Sequence, residues 1–302
     1  MRVLVTGASG FIGTAVCREL ANRDHVEVMF DRHRDVIGWS VILGDITDTT
    51  AVNEAVAHVD AVIHLAGVLG TQETIANPRP AVETNVLGGL NVLEACAQHK
   101  TRLVNIAVGN WFEQSTYSIS KTTVERFTEM YVRYRDLEGC SVRAYNAYGP
   151  GQSVAQPYGK SRVRKIIPSF VSRALHREPI QVYGDGGQVM DMIYVEDVAA
   201  CLVAALEGLD TLHLAGGTYQ AGTGRRTTVK EIAEAVAAEV HTQTGIEVPI
   251  EHLPMRRGET PGAEVLADPK QVAVLGVDPA TFVPLEEGLR RTVAHYRKMF
   301  GK

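Results

Sequence analysis

The chain opens on a glycine pattern that leaves few folds possible. Val3-Leu4-Val5 reads as a buried strand, and Thr6-Gly7-Ala8-Ser9-Gly10-Phe11-Ile12-Gly13 follows at once, leading into a helical pattern from Phe11 to Ala21. Glycines at this spacing between a strand and a helix each answer a steric demand. Gly7 permits a sharp turn, Gly10 lets backbone approach a pyrophosphate, and Gly13 lets helix and strand lie close together. The free N–H groups of the first helical turn, around Phe11 and Ile12, and the helix dipole both favour a phosphate there. The unit predicts a dinucleotide held at the end of a strand in a parallel sheet.

The next 140 or so residues repeat the alternation on which such a sheet depends. Val26–Phe30, Val41–Leu43, Ala61–Leu65, Leu103–Ile106 and Cys140–Ala144 read as buried strands. Between them, Val86, Leu90, Leu93 and Ala97 keep helical spacing, as do Val124, Phe127, Tyr131 and Tyr134 within Ser120–Arg135. Past Pro150 the pattern changes. A Gly/Pro/Ser-rich stretch carries the basic cluster Lys160, Arg162, Arg164 and Lys165, and helical patterns follow at Pro168–His176, Val195–Leu206, Val229–Thr242 and Leu285–Phe300, with a short strand at Ile180–Tyr183. The expected class is α/β, a Rossmann-type doubly wound parallel sheet with a smaller α/β substrate-binding lobe. Residues 1–150 form the dinucleotide-binding domain and residues 151–302 the lobe, with some elements from about 180–215 returning to the first domain.

A net charge of −5 gives no global attraction for nucleic acid or an anionic membrane, so neither is expected as a partner. No run of about 18 apolar residues suggests a membrane span. The N-terminus runs straight into the glycine motif, which leaves no room for a signal peptide. Cys17, Cys96, Cys140 and Cys201 are far apart in apolar contexts and read as reduced thiols of a cytoplasmic protein. The ten histidines show no metal-ligand spacing, so no metal is expected.

Several residues complete a cofactor site. Asp31 ends the second strand 18 residues after Gly13, where a carboxylate can accept bonds from a ribose and repel a 2′-phosphate. This favours NAD over NADP, although Arg32 and Arg34 bring opposing charge to the same place. Asp45-Ile46 ends the third strand, within reach of an adenine amine. Leu65-Ala66-Gly67 ends the fourth, where small residues admit the cofactor close to backbone. Tyr117 and Lys121 are four residues apart at the start of a helix and share one face. A tyrosine titrates near about 10, and a neighbouring ammonium together with a positive nicotinamide ring would lower it into the range of a working base.

Taken together, Thr-Gly-x-x-Gly-x-x-Gly, His64-Leu65-Ala66-Gly67, Thr84-Asn85-Val86, Tyr117-x-x-x-Lys121 and the segment from Arg143 to Gln152 resemble the NAD-dependent epimerase/dehydratase family of extended short-chain dehydrogenases. Tyr183-Gly184-Asp185-Gly186, Ile193 to Val198, Arg257-Gly258-Glu259 and Leu275 to Pro279 extend the resemblance over the whole chain. It implies that Tyr117 and Lys121 are the catalytic pair, also contacting the cofactor, and that Asn85 belongs to the cofactor site. It further implies that Asn146 touches a nucleotide-diphosphate sugar and that Arg257, with Arg256, grips the diphosphate. A homodimer through Val86–Gln98 and Ser120–Arg135 is expected on the same ground. Two positions depart from the family. The serine or threonine at the end of the fifth strand is replaced at Val108, with Asn110, Ser115 and Thr116 as nearby substitutes, and Met190 stands where relatives carry an arginine. The expected function is a nucleotide-sugar epimerase acting at C4 through bound NAD. A 4,6-dehydratase, a reductase and a non-catalytic dinucleotide-binding module remain as alternatives.

Overall fold

The computed structural model describes residues 1–33, 41–256 and 258–302. Six strands, β1 (Arg2–Thr6), β2 (Val26–Asp31), β3 (Val41–Leu43), β4 (Ala61–His64), β5 (Arg102–Val108) and β6 (Gly139–Ala144), build a parallel sheet with the late strand Thr218–Ala221. From one edge the order is β3, β2, β1, β4, β5, β6 and then Thr218–Ala221. The order reverses between β1 and β4, and a crevice opens beyond the C-terminal strand ends at such a point. Thr6 lies opposite Phe30 and His64, and Val108 opposite Ala144, so these ends come level.

Strand periodicity sends alternate side chains to two cores. Val3, Val5, Val104 and Val142 face one core, filled by Val16 and Leu20 of the helix Phe11–Asn22 and by Val198, Cys201, Leu202 and Ala205 of the helix Val195–Thr211. Leu4, Phe30, Val62 and Leu103 face the other, against Val92, Leu93 and Cys96 of Gly89–His99 and Val124 and Tyr131 of Thr116–Tyr134. With both faces covered, the central strands are largely apolar, as the sequence suggested. All four cysteines are buried and unpaired.

A third core holds Ile167, Phe170 and Val171 of Ile166–Leu175, Ile232 and Val236 of Val229–Thr244, and Leu289, Val293 and Tyr296 of Leu285–Phe300. Ile180–Tyr183 pairs in parallel with Ile250–Leu253 beside it. Asp191, fully buried, accepts hydrogen bonds from Thr223 N (2.8 Å), Thr223 Oγ1 (2.6 Å), Gly224 N (2.8 Å) and Ala267 N (3.1 Å). One carboxylate thus ties together three distant segments.

Two helices begin earlier than the apolar periodicity that marked them in the sequence. The helix carrying the tyrosine begins at Thr116, because Ser115 Oγ caps it by accepting from Ser118 N at 3.1 Å. The helix expected from Val86 starts earlier as a wider π-helical stretch, Val82–Gly88, that continues into Gly89–His99.

Candidate active site

One cleft of about 1030 Å³ lies over the C-terminal ends of the strands and against the third core. Its floor is the glycine loop. Gly7 has a φ of +72°, and a Cβ on it would sit 2.8 Å from Ala66 N. A Cβ on Gly13 would collide with the Gly7 carbonyl oxygen. Gly10 is the N-cap of Phe11–Asn22, and no side chain caps that helix. Gly10, Phe11, Ile12 and Gly13 line the cleft, so an uncapped helix start is presented to it.

Asp31, at the end of β2, accepts from Ser9 N at 3.0 Å and from His33 N at 3.1 Å, which joins the glycine loop to the strand end. Arg32 makes an ion pair with Asp45 at 3.7 Å, so its charge is already directed at a carboxylate. Asp31, Arg32, Asp45 and Ile46 line the same end of the cleft. Arg34 lies outside the described residues. Leu65, Ala66 and Gly67 line it too, and the N–H groups of Leu65 and Ala66 donate to Thr6 Oγ1 at 3.2 and 3.3 Å. Thr6 Oγ1 is also 2.7 Å from His64 Nδ1. Burial, and then the charge of Lys121, hold His64 down to about 3, so it is a neutral hydrogen-bonding group beneath the site. This donor and acceptor set fits NAD: a backbone cradle too tight for a side chain, a helix start, and a carboxylate at the ribose end.

Asn85 has another job. It is buried, and its amide donates to Val68 O (3.1 Å) and Ser120 Oγ (2.9 Å) while Oδ1 accepts from Val68 N (2.7 Å). Both amide hydrogens are spent, and Asn85 supports the backbone behind Gly67 without lining the cleft.

Tyr117 and Lys121 lie one turn apart on Thr116–Tyr134, and both line the cleft. Tyr117 N donates to Thr74 Oγ1 at 3.1 Å, which docks the first turn on the neighbouring helix Thr71–Ala76. A fork between Glu125 and Arg143 (2.6 and 2.9 Å) fixes the same helix to β6, and the Arg143 guanidinium lies 4.8 Å over the Trp111 ring. Burial pushes Tyr117 up to about 12 and Lys121 down to about 8. Desolvation therefore outweighs the stabilising ammonium that the sequence suggested. A further positive charge at the nicotinamide position would have to complete the lowering.

Val108 lines the cleft at the end of β5 and carries no hydroxyl. Of the nearby substitutes, Ser115 is fully buried as a helix cap, and neither it nor Thr116 lines the cleft. Asn110 and Glu113 do, and Asn110 Nδ2 donates to Glu113 Oε2 at 2.6 Å. Burial pushes the Glu113 carboxyl up, Asn110 eases it down, and Glu259 raises it again.

The far wall is basic. Arg162, Arg164, Lys165, Arg173 and Arg256 all line the cleft, as does Met190. Arg164 donates to the Tyr183 hydroxyl at 2.9 Å, and the Arg256 guanidinium lies 4.6 Å over the Tyr183 ring while pairing with Glu259. Asn146 also lines the cleft, with Nδ2 donating to Asp191 O at 3.3 Å. Lys160 does not line the cleft, and Arg257 lies outside the described residues. Arg173 and the binding work of Asp191 escaped the sequence reading. Arg173 sits within an ordinary helix pattern and Asp191 between the short strands Val189–Met190 and Met192–Tyr194, and neither carries a separate signal in the sequence. Among the described residues, no group of three or more side chains could hold a metal ion, and no helix is long and apolar enough to cross a membrane.

A model of the NAD dependent epimerase/dehydratase family matches residues 3–222. A UDP-glucose 4-epimerase of Rhizobium leguminosarum bv. trifolii is 30% identical, covering 85% of this chain and 86% of that protein. The UDP-N-acetyl-alpha-D-glucosaminuronate decarboxylase of Bacillus cytotoxicus is 26% identical, covering 99% of this chain and 98% of that protein. Among solved structures, the Thermus thermophilus UDP-glucose 4-epimerase complex with NAD superposes with a TM-score of 0.84 at 30% identity, covering 98% of this chain and 99% of that one.

Proposed function

This chain belongs to the NAD dependent epimerase/dehydratase family, and on that premise we propose that it is a nucleotide-sugar epimerase that inverts C4 of its sugar. Membership makes it an NAD-dependent enzyme of nucleotide-sugar modification; the C4 outcome is the proposal. The observation that carries it is the half-buried Tyr117 one turn from the buried Lys121, in a cleft with one base at the reacting end and no carboxylate pair directly after β5. Epimerisation needs a single proton-transfer group and a hydride that leaves and returns, whereas dehydration needs an additional acid and base. The similarity to UDP-glucose 4-epimerases supports the same reading.

Bound NAD supplies the hydride acceptor and donor. Tyr117 takes the proton of the sugar hydroxyl and later returns it. Lys121 holds positive charge beside the phenolate and reaches the nicotinamide ribose. Gly7, Gly10, Phe11, Ile12 and Gly13 seat the pyrophosphate, Asp31 the ribose, and Asp45 with Ile46 the adenine end; Leu65, Ala66 and Gly67 pass beneath. Asn85 acts by positioning that backbone. Residues 1–150, with the returning helix Val195–Thr211 and strand Thr218–Ala221, form the cofactor domain. The rest of the chain holds the sugar nucleotide. Asn146 contacts the sugar, and Arg162, Arg164, Lys165, Arg173 and Arg256 supply charge for a diphosphate that Met190 does not, together with Arg257. The apolar side chains of Val82, Leu87 and Ile119, exposed on adjoining helices, support a homodimer through that face.

The test is NMR of the purified protein with NAD and a panel of UDP-, GDP- and dTDP-sugars. The proposal expects a new C4 epimer, no net reduction of NAD, and loss of turnover in Tyr117→Phe. A 4-keto-6-deoxy product, which Glu113 in the cleft would favour, replaces this reading with a dehydratase. A chain that binds NAD and alters no sugar in the panel is a binding module.

A further inference from the structure

We infer that Thr74 is the positioning residue that sets Tyr117 in place: its hydroxyl clamps the Tyr117 N–H to the Gly70 carbonyl on the cleft wall. The inference rests on the reading of Tyr117 as the base. Tyr117 is the second residue of Thr116–Tyr134, so its N–H has no carbonyl within the helix to bond. The cap of that helix is occupied elsewhere, with Ser115 Oγ accepting from Ser118 N at 3.1 Å and Ser115 O from Ile119 N at 2.9 Å. The partner of Tyr117 N comes from another element: Thr74 Oγ1, at 3.1 Å. Thr74 is buried, and its hydroxyl lies 2.7 Å from Gly70 O and 3.3 Å from Thr71 O. Carbonyls only accept, so the single hydrogen of the hydroxyl goes to the nearer one, Gly70, and a lone pair is left for the Tyr117 N–H. The three groups make one directed chain.

The Gly70 end of that chain is held from two sides. Gly70 has a φ of +106°, and its carbonyl also accepts from Thr74 N at 3.2 Å. From the substrate lobe, Val163 rests on it: a Cβ on Gly70 would lie 3.0 Å from Val163 Cγ2. Ser161 fixes Val163 in turn, its Oγ accepting from Val163 N at 3.0 Å and donating to Val163 O at 3.1 Å. Gly70, Val163 and Tyr117 all line the cleft, whereas Thr74 lies behind its wall and acts through Tyr117. Clamping the first turn fixes the origin of the Tyr117 side chain, and with it the distance from the phenol to the positive charges that must lower it. Without the hydroxyl, the Tyr117 N–H loses its acceptor, and the turn regains one only by moving.

The experiment titrates Tyr117 in the NAD-loaded protein by phenolate absorbance, taken as the difference from Y117F, and compares the parent with Thr74→Val and Thr74→Ser. Valine keeps the shape of threonine and the backbone bond to Gly70 O while removing the acceptor for Tyr117 N. T74V is expected to move the phenol by about one pH unit towards its ordinary value near about 10, and T74S, which keeps the hydroxyl, to recover at least about two thirds of that shift. With a sugar of the panel that turns over, T74V should lower kcat about tenfold near pH 7, leave KM within about threefold, and displace the acid limb of the pH profile upward by the same unit. A Thr74 that serves only the fold would lower the Tm and leave the phenol where it is; that result, or equal effects of T74V and T74S, overturns the inference. A parent phenol that titrates at or above about 10 with NAD bound removes the reading of Tyr117 as the base, and the inference with it. A last readout needs no variant. In the parent, hydrogen exchange of the Tyr117 amide should be slowed as much as that of Ser118, and exchange at the rate of an open helix end contradicts the inference.

Discussion

At the scale of single residues, the site is governed by desolvation. Lys121 is almost fully buried, and burial lowers it from 10.5 to about 8. A lysine whose folded pKa lies below its unfolded value binds fewer protons when folded across that window, so its contribution to stability rises as pH climbs from about 8 towards 10.5. Chemical denaturation of the parent and of Lys121→Met should diverge over this range. The parent gains on the variant by up to about 3 kcal/mol, and the difference is flat below about pH 7. Asp31 gives a second prediction. Asp31→Ala removes the acceptor for Ser9 N and the charge that repels a 2′-phosphate, while Arg32 stays in place. Fluorescence titration should show NAD binding weakened about tenfold, with the preference over NADP reduced or reversed. Most of these residues were legible because their spacing is fixed by backbone geometry. Glycines at 7, 10 and 13 and a Tyr/Lys pair four apart make sense only as a turn and a helix face. Asn85 was read as part of the cofactor site, but its support of Val68 depends on a loop 17 residues away and leaves no trace in local spacing.

At the scale of elements, continuous apolar runs announced β1 and β4, since strands buried on both faces need no alternation, whereas β5 is broken by Asn105 and β6 by Ser141 and Arg143. Thr218–Ala221 was missed because Thr-Tyr-Gln-Ala is neither apolar nor alternating; it joins the sheet by pairing with β6. The start of the tyrosine helix was displaced by a cap that polar residues around Ser115 concealed. Asp191 is where elements depend most on one side chain. Asp191→Asn keeps the shape but sets an NH₂ group against backbone and hydroxyl donors that now converge on carboxylate oxygens. We expect a loss of about 2–4 kcal/mol in urea unfolding, with the slope against denaturant unchanged. A loss below about 0.5 kcal/mol would show that water or neighbouring groups replace those bonds.

At the scale of the whole molecule, the division of labour follows from topology. The sheet reversal between β1 and β4 fixes where a dinucleotide can lie, and the third core places a basic wall across from it. If the face bearing Leu87 and Ile119 joins two copies, Leu87→Glu with Ile119→Glu should convert a dimer into a monomer in light scattering without loss of bound NAD. A parent that is monomeric at micromolar concentration would remove the homodimer from the account. The central claim is that the sugar is oxidised and reduced at C4 by a hydride that never leaves the cleft. It is tested most directly with the nucleotide sugar that turns over, deuterated at C4 and incubated in ordinary water with catalytic NAD. The account predicts that the epimer retains its deuterium at C4; deuterium lost to solvent, moved to another carbon or accumulated in reduced cofactor would contradict it.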